Sequence, residues 1–193
     1  MLISGDRRIS ATHNELPVGK GKRFASGVHR VAAHIVSGWS ANWILTLQDG
    51  QPFTVGCPLS TSTGFGCNAL VVPSADKYAN SSVAHFLNAA AFSNPPAVTT
   101  VGQADIAPLG GSPTQVTGPK FRRLDLSLFK RFPVSDRVDL EFRAESFNAT
   151  NSPNFSNPSL LNFLDTTSFG RITTTRDAPN DPREIQFGLK LYW

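Results

Sequence analysis

Four histidines, His13, His29, His34 and His85, are the first residues in this chain to test for metal or acid–base chemistry. His29 and His34 lie five positions apart, a spacing that shares a face on neither a helix nor a strand. No His-Glu-x-x-His run occurs, and Gly19-Lys20-Gly21-Lys22 is followed by Arg23, without the spacing or the Ser/Thr of a phosphate-binding loop. No Gly-x-Ser-x-Gly elbow is present. Asp177, Asn180 and Asp181 could hold a calcium ion in a loop, but turn formation accounts for the same residues. Glu141 and Glu145 flank Arg143 with a spacing of two, which favours ion pairing along one strand face over general acid–base work. The expectation is a chain that is not an enzyme and has no metal site and no cofactor.

Cys57 and Cys67 stand in a Gly/Ser/Thr-rich stretch. A disulfide between them would close a small loop and stabilise by roughly 2–3 kcal/mol on the chain-entropy model. It would also imply an oxidising compartment. The alternative is two free thiols; no His or second Cys pair completes a zinc pattern.

The elements that position these residues follow from composition and pattern. Only 17% of residues are charged, 40% are hydrophobic, and 14 Phe, 15 Gly and 14 Pro fit an all-β chain with long loops. The net charge of +4 comes from scattered basic residues, densest at Lys20, Lys22 and Arg23, so no nucleic-acid partner is expected. No apolar run is long enough for a spanning helix. Barrel strands need only about 9–11 residues and alternate in polarity, so low hydropathy does not argue against them.

Five segments alternate with period two, near residues 6–16, 38–54, 120–132, 137–148 and 183–193. In the first, Ile9 and Ala11 alternate with Arg8, Ser10 and Thr12. In the second, Trp39, Ala41, Trp43, Leu45 and Leu47 share a face, and Ile44 alone breaks the pattern. In the third and fourth, an apolar face of Leu124, Leu126, Leu128, Val138, Leu140 and Phe142 opposes Arg123, Asp125, Glu141, Arg143 and Glu145. These five charges are expected to line a watery lumen. The last segment carries Ile185, Phe187, Leu189, Leu191 and the terminal Trp193 on one face.

Long Gly/Pro/Ser/Thr-rich stretches at 56–119 and 149–182 separate these strands, while Pro133-Val134-Ser135-Asp136 reads as a short turn. Long outer loops and short periplasmic turns are the habit of outer-membrane barrels. Within the first loop only residues 83–92 look briefly helical, and the β-prone run 169–175 reads as an excursion of the second. With the chain end in the periplasm, five strands put both long loops outside. The competing expectation is a soluble secreted β-sandwich binding module, with Trp43, Leu126, Phe142 and Phe187 in one closed core.

The run from Met1 to Arg8 becomes charged before an apolar signal core could form. The chain therefore reads as the tail of a longer protein. Trp193 and the apolar residues alternating before it resemble the signal read by the barrel-assembly machinery, which pairs an edge strand by its backbone and seats alternate side chains. Three further groups of residues extend the likeness in order: Glu15-Leu16-Pro17-Val18-Gly19-Lys20-Gly21-Lys22-Arg23-Phe24, Leu45-Thr46-Leu47-Gln48-Asp49-Gly50-Gln51-Pro52-Phe53, and Leu87-Asn88-Ala89-Ala90-Ala91-Phe92. Leu124-Asp125-Leu126-Ser127-Leu128-Phe129-Lys130-Arg131-Phe132, Phe142-Arg143-Ala144-Glu145-Ser146-Phe147-Asn148, Asn151-Ser152-Pro153-Asn154-Phe155 and Phe169-Gly170-Arg171-Ile172 complete it. The whole set resembles the C-terminal barrel segment of Oar-like TonB-dependent transporters of acidobacterial type. Lys120, in place of a second Gly after Gly118-Pro119, and Ala149-Thr150, in place of a bulky apolar pair after Asn148, depart from the pattern. The resemblance implies 1–193 as a C-terminal fragment of such a barrel in the bacterial outer membrane. Its implied partners are outer-membrane lipid, the barrel-assembly machinery, the missing barrel strands and plug, and TonB in the parent protein. The implied cargo of that parent is a bulky nutrient.

Overall fold

The computed structural model describes residues 7–18, 22–24, 27, 35–58, 67–79, 82–95, 110–176 and 182–193. Within them the strands are β1 (Arg7–Glu15), β2 (Trp39–Gln48), β3 (Pro52–Phe53), β4 (Leu70–Val71), β5 (Phe92–Ser93), β6 (Val116–Thr117), β7 (Phe121–Ser135), β8 (Val138–Phe147) and β9 (Glu184–Tyr192). The fold is all-β and antiparallel, as the alternation predicts. The chain divides into two compact units.

The first unit is a five-stranded sheet of order β1-β2-β7-β8-β9 with every neighbouring pair antiparallel. Its register keeps like with like. Trp43 lies opposite Leu126, Leu128 opposite Ala144 and Phe142 opposite Leu189, so their side chains share one face. Arg131 lies opposite Glu141, and Glu141 opposite Lys190, on the other face.

Three details differ from the sequence expectation. First, the second strand ends at Gln48 and not at 54. A Cβ on Gly50 would sit 1.8 Å from the Gly118 carbonyl oxygen, so the chain needs glycine to turn there, and Pro52–Phe53 pair with Val116–Thr117 instead. Second, β7 continues through Pro133 to Ser135. Pairing with β2 stops at Lys130, so Pro133 lies where β7 has no β2 partner to receive an N–H, with a register irregularity toward β8. The turn is thereby moved to Asp136 and Arg137. Third, Ile9 and Ala11 of β1 sit opposite Thr46 and Ile44, on the charged face, while Arg8, Ser10, Thr12 and Asn14 sit opposite Leu47, Leu45, Trp43 and Ala41. One side of the strand is wholly polar and the other mixes Ile9 and Ala11 with Arg7, His13 and Glu15, so its own residues specify register weakly and β2 sets it.

The second unit is built from residues 49–120 and 155–176. These stretches, read as loops without structure, pack around Val55, Ala69, Leu87, Ala91, Phe92, Val116, Phe163 and Phe169. Burial of each large side chain contributes about 1.5–3 kcal/mol. The Phe169 ring packs edge-on to Phe92 and to Phe163, with centroids 5.5 and 6.4 Å apart. Gly170 has φ +73°, and a Cβ there would meet the Leu87 backbone nitrogen at 2.6 Å. The helix expected at 83–92 reduces to a single 3-10 turn, Ala89–Ala91, whose N-cap Asn88 accepts the Ala90 N–H at 3.1 Å. Its failure to extend has a local cause: the N–H groups of Phe86 and Asn88 donate to the carbonyls of Gly170 and Lys77, not to a preceding helical turn.

Candidate functional site

The charged face of the sheet is organised around Glu141, which is only 2% exposed. Its carboxylate accepts the Arg131 Nε–H at 2.9 Å and the Arg143 Nε–H at 2.5 Å. The Tyr192 hydroxyl donates to it at 3.3 Å. The Arg131 guanidinium lies 4.5 Å from the Tyr192 ring centroid, and the Lys190 ammonium is at the same distance. The penultimate residue of the chain is thus held against β7 and β8 from the polar side.

Nearer the other end of this face, Arg123 Nε donates to Asp125 at 2.8 Å, and Asp125 also accepts the Asn148 N–H at 2.9 Å. Asn148, at φ 47°, closes β8 by donating from its side chain to the Ser152 carbonyl and accepting the Ser152 N–H. Glu145 lies opposite Ser127 and Gln186. The five charges singled out in the sequence therefore share one face: Arg123 pairs with Asp125, Glu141 pairs with Arg143 in a second group, and Glu145 follows Arg143 two residues on. Arg131 and Tyr192 complete the second group. Continuing the period-two count from Arg123 reaches Arg131, and continuing it from Gln186 reaches Tyr192, so both were accessible to pattern. That they meet on Glu141 was not.

The opposite face presents an apolar band. Phe187 is 69% and Leu189 71% exposed, and Leu126, Ile185, Leu191 and Trp193 are exposed as well. These residues and Trp43 and Phe142 do not form the closed core a sandwich requires. A buried cation on this face is Lys130, which lies between Trp39 and Phe142 on the neighbouring strands and is 4% exposed. Its ammonium donates to the Ile35 carbonyl at 3.0 Å and sits 4.7 Å from the Phe132 ring centroid. Trp39 Nε1 donates to the same carbonyl at 2.8 Å. A charge on a lipid-exposed barrel face costs about 2–4 kcal/mol at mid-bilayer. Here the carbonyl and the rings enclose it.

In the second unit Cys57 and Cys67 are joined by a disulfide with a Cα–Cα distance of 5.2 Å. The Asp165 carboxylate accepts the hydroxyls of Ser168 and Thr167 and the Thr167 N–H. Those bonds, the Ser168 hydroxyl first, lower its pKa from 3.8 to about 2. Among the described residues no group of three or more His, Cys, Asp or Glu side chains could hold a metal ion. His13 instead pairs with the Asn42 side chain and stacks on Phe129, and the His85 backbone N–H bonds to Ser82. His29, His34, Gly19-Lys20-Gly21 and the Asp177, Asn180, Asp181 group lie outside the described residues.

Residues 6–186 match the model of a family described as an outer membrane beta barrel domain. No curated protein and no solved structure matches the chain.

Proposed function

Since the chain belongs to the outer membrane β-barrel domain family, we propose that its sheet is the C-terminal segment of the barrel of a TonB-dependent transporter of the Oar-like type, whose parent protein imports a bulky nutrient. Family membership supports a location in the bacterial outer membrane. The observation that carries the reading is the division of one sheet into an apolar face, exposed at Leu47, at Leu126 and along β9, and a face of paired charges. An apolar wall against lipid and a polar wall against water is what a wide barrel needs.

On this reading outer-membrane lipid covers the Phe187 and Leu189 face, and the barrel-assembly machinery reads Ile185, Phe187, Leu189, Leu191 and Trp193. The plug and TonB act in the parent protein, and no nucleic acid or catalysis is involved. Transporter barrels of this kind have about 22 strands, so the five strands here do not transport unaided. The resemblance of the ordered motifs supports the transporter assignment over other barrels.

The test is genetic. Removal of codons 184–193 from the chromosomal gene is expected to abolish growth on the same large nutrients that a strain lacking TonB cannot use. Growth defects that do not overlap with those of the TonB-deficient strain would overturn the assignment.

A further inference from the structure

The register sorts every charge of the five-stranded sheet onto one of its two faces. The acidic residues Glu15, Asp125, Asp139, Glu141, Glu145 and Glu184 all lie on the polar face. Among the described residues of these strands the apolar face carries no Asp or Glu, yet it carries Arg8, Arg122 and Lys130. Lys130 is enclosed near one end of that face. Arg8 and Arg122 are exposed and stand on one level at the other end: Arg8 lies opposite Leu47, and Leu47 opposite Arg122. Leu47 is itself 44% exposed. The Arg122 backbone N–H donates to the Asn154 side-chain oxygen at 2.8 Å, and its guanidinium has no ion-pair partner among the described residues.

We propose that Arg8 and Arg122, one on each side of Leu47, clamp the phosphate of an outer-leaflet lipid whose acyl chain runs down over Leu47, Leu45 and Leu124. The inference rests on the barrel reading above and adds a specific site, with the charged group it takes. Depth supports it. Phe132 follows Arg122 by ten residues on the same face. That is about 34 Å along the strand and, at a tilt of roughly 35–45°, about 24–28 Å of height, against an apolar band of about 25 Å. On the barrel reading the short turn at Asp136 and Arg137 is periplasmic, so Phe132 marks the inner boundary of the band and the two arginines the outer one. An exposed arginine costs about 0–1 kcal/mol at that boundary. Neighbouring strands lie about 4.8 Å apart, so about 10 Å separates the two arginine backbones, within joint reach of one phosphate. The guanidinium fork matches phosphate oxygens, and no carboxylate on this face opposes an anion. Leu45 lies opposite Leu124 immediately below, which gives the chain of the same lipid an apolar track.

The test refolds the full chain into phosphatidylcholine vesicles that contain a minor fraction of a diacyl phosphate brominated on its acyl chains. Tryptophan quenching is the readout, since Trp43 lies below Leu47 and Leu45 on the same face. Saturable quenching is expected, and diacylglycerol with the same brominated chains is expected not to give it. Arg122→Gln should weaken the apparent affinity about fivefold and Arg8→Gln/Arg122→Gln about thirtyfold. Arg7→Gln, on the polar face, should leave it unchanged. Arg8→Lys/Arg122→Lys, which keeps the charge without the fork, should fall between the wild type and the double glutamine variant. Equal quenching in the wild type and in the double glutamine variant, at unchanged strand content by circular dichroism, would overturn the inference. So would diacylglycerol that matches the diacyl phosphate, or inorganic phosphate that displaces it at equal concentration. If bromines placed on all the phosphatidylcholine chains quench no tryptophan, the apolar face does not meet lipid and the barrel reading itself fails, a result distinguishable from the others.

Discussion

The Glu141 network allows a quantitative test of how the polar face is held. The carboxylate is 2% exposed, whereas the side chains of Arg131 and Arg143 are 58% and 47% exposed. The two partners therefore differ in what is left behind when the other is removed. Glu141→Gln leaves two guanidinium groups that water already reaches, and loses two charge-assisted hydrogen bonds. Each such bond is worth about 1.5–3 kcal/mol when fully shielded, and exposure of the arginines reduces this, giving a total of about 2 kcal/mol. Removing both arginines leaves the shielded carboxylate with Lys190, opposite it on β9, and the Tyr192 hydroxyl as its remaining partners, for which about 3–5 kcal/mol is the upper limit of the loss. The double variant Arg131→Ala/Arg143→Ala is thus expected to lose clearly more stability than Glu141→Gln, although it removes the more exposed groups. Urea unfolding in detergent micelles, followed by tryptophan fluorescence, measures both. A Glu141→Gln loss equal to or larger than that of the double arginine variant would show that the carboxylate is not the shielded partner, and the reasoning fails.

Three further outcomes are expected. Cys57→Ser/Cys67→Ser should cost the second unit roughly 2–3 kcal/mol by releasing its closed loop, seen as faster limited proteolysis within residues 49–120. Leu189→Arg should weaken membrane insertion by about 2–4 kcal/mol if the residue faces mid-bilayer, whereas Gly188→Ala, whose added Cβ would lie 4.0 Å from Arg143 Cβ on the other face, should be tolerated; vesicle-refolding titrations compare them. Asp165, held at about 2 against an ordinary 3.8, stabilises its turn fully above the ordinary value, and that contribution is lost as pH falls from about 4 through about 2. A carboxyl carbon NMR titration checks this, and Ser168→Ala should move the midpoint upward.

How far the sequence could be read depended on which forces act locally. Alternation in Leu124 to Lys130, Val138 to Ala144 and Ile185 to Trp193 is written residue by residue, because period two needs only the strand itself. It located the strands and sorted their charges. The partners on the charged face were less accessible, since Arg131, Glu141 and Tyr192 meet across three strands. β1 offers no apolar stripe, so nothing in Arg7–Glu15 announces which side faces which. The core of Val55, Val116 and Phe169 was hidden for a different reason. It joins segments that lie far apart in the chain through two-residue strands, where tertiary contacts override any periodic signal. The same competition reduced the expected helix at 83–92 to one turn.

The pairing of β3 with β6 also bears on the order of assembly. Strands β2 and β7 are separated in sequence by the whole of residues 49–120, and closing a flexible loop of that length costs about 4 kcal/mol of chain entropy. Within the second unit, however, Pro52 pairs with Thr117, Gly50 abuts Gly118, and Asp49 lies 3.6 Å from the Lys120 ammonium. Once this unit has formed, the two ends of the connection are already side by side. The β2–β7 junction then nucleates like a hairpin, and a contact that is distant along the chain becomes a local step in time.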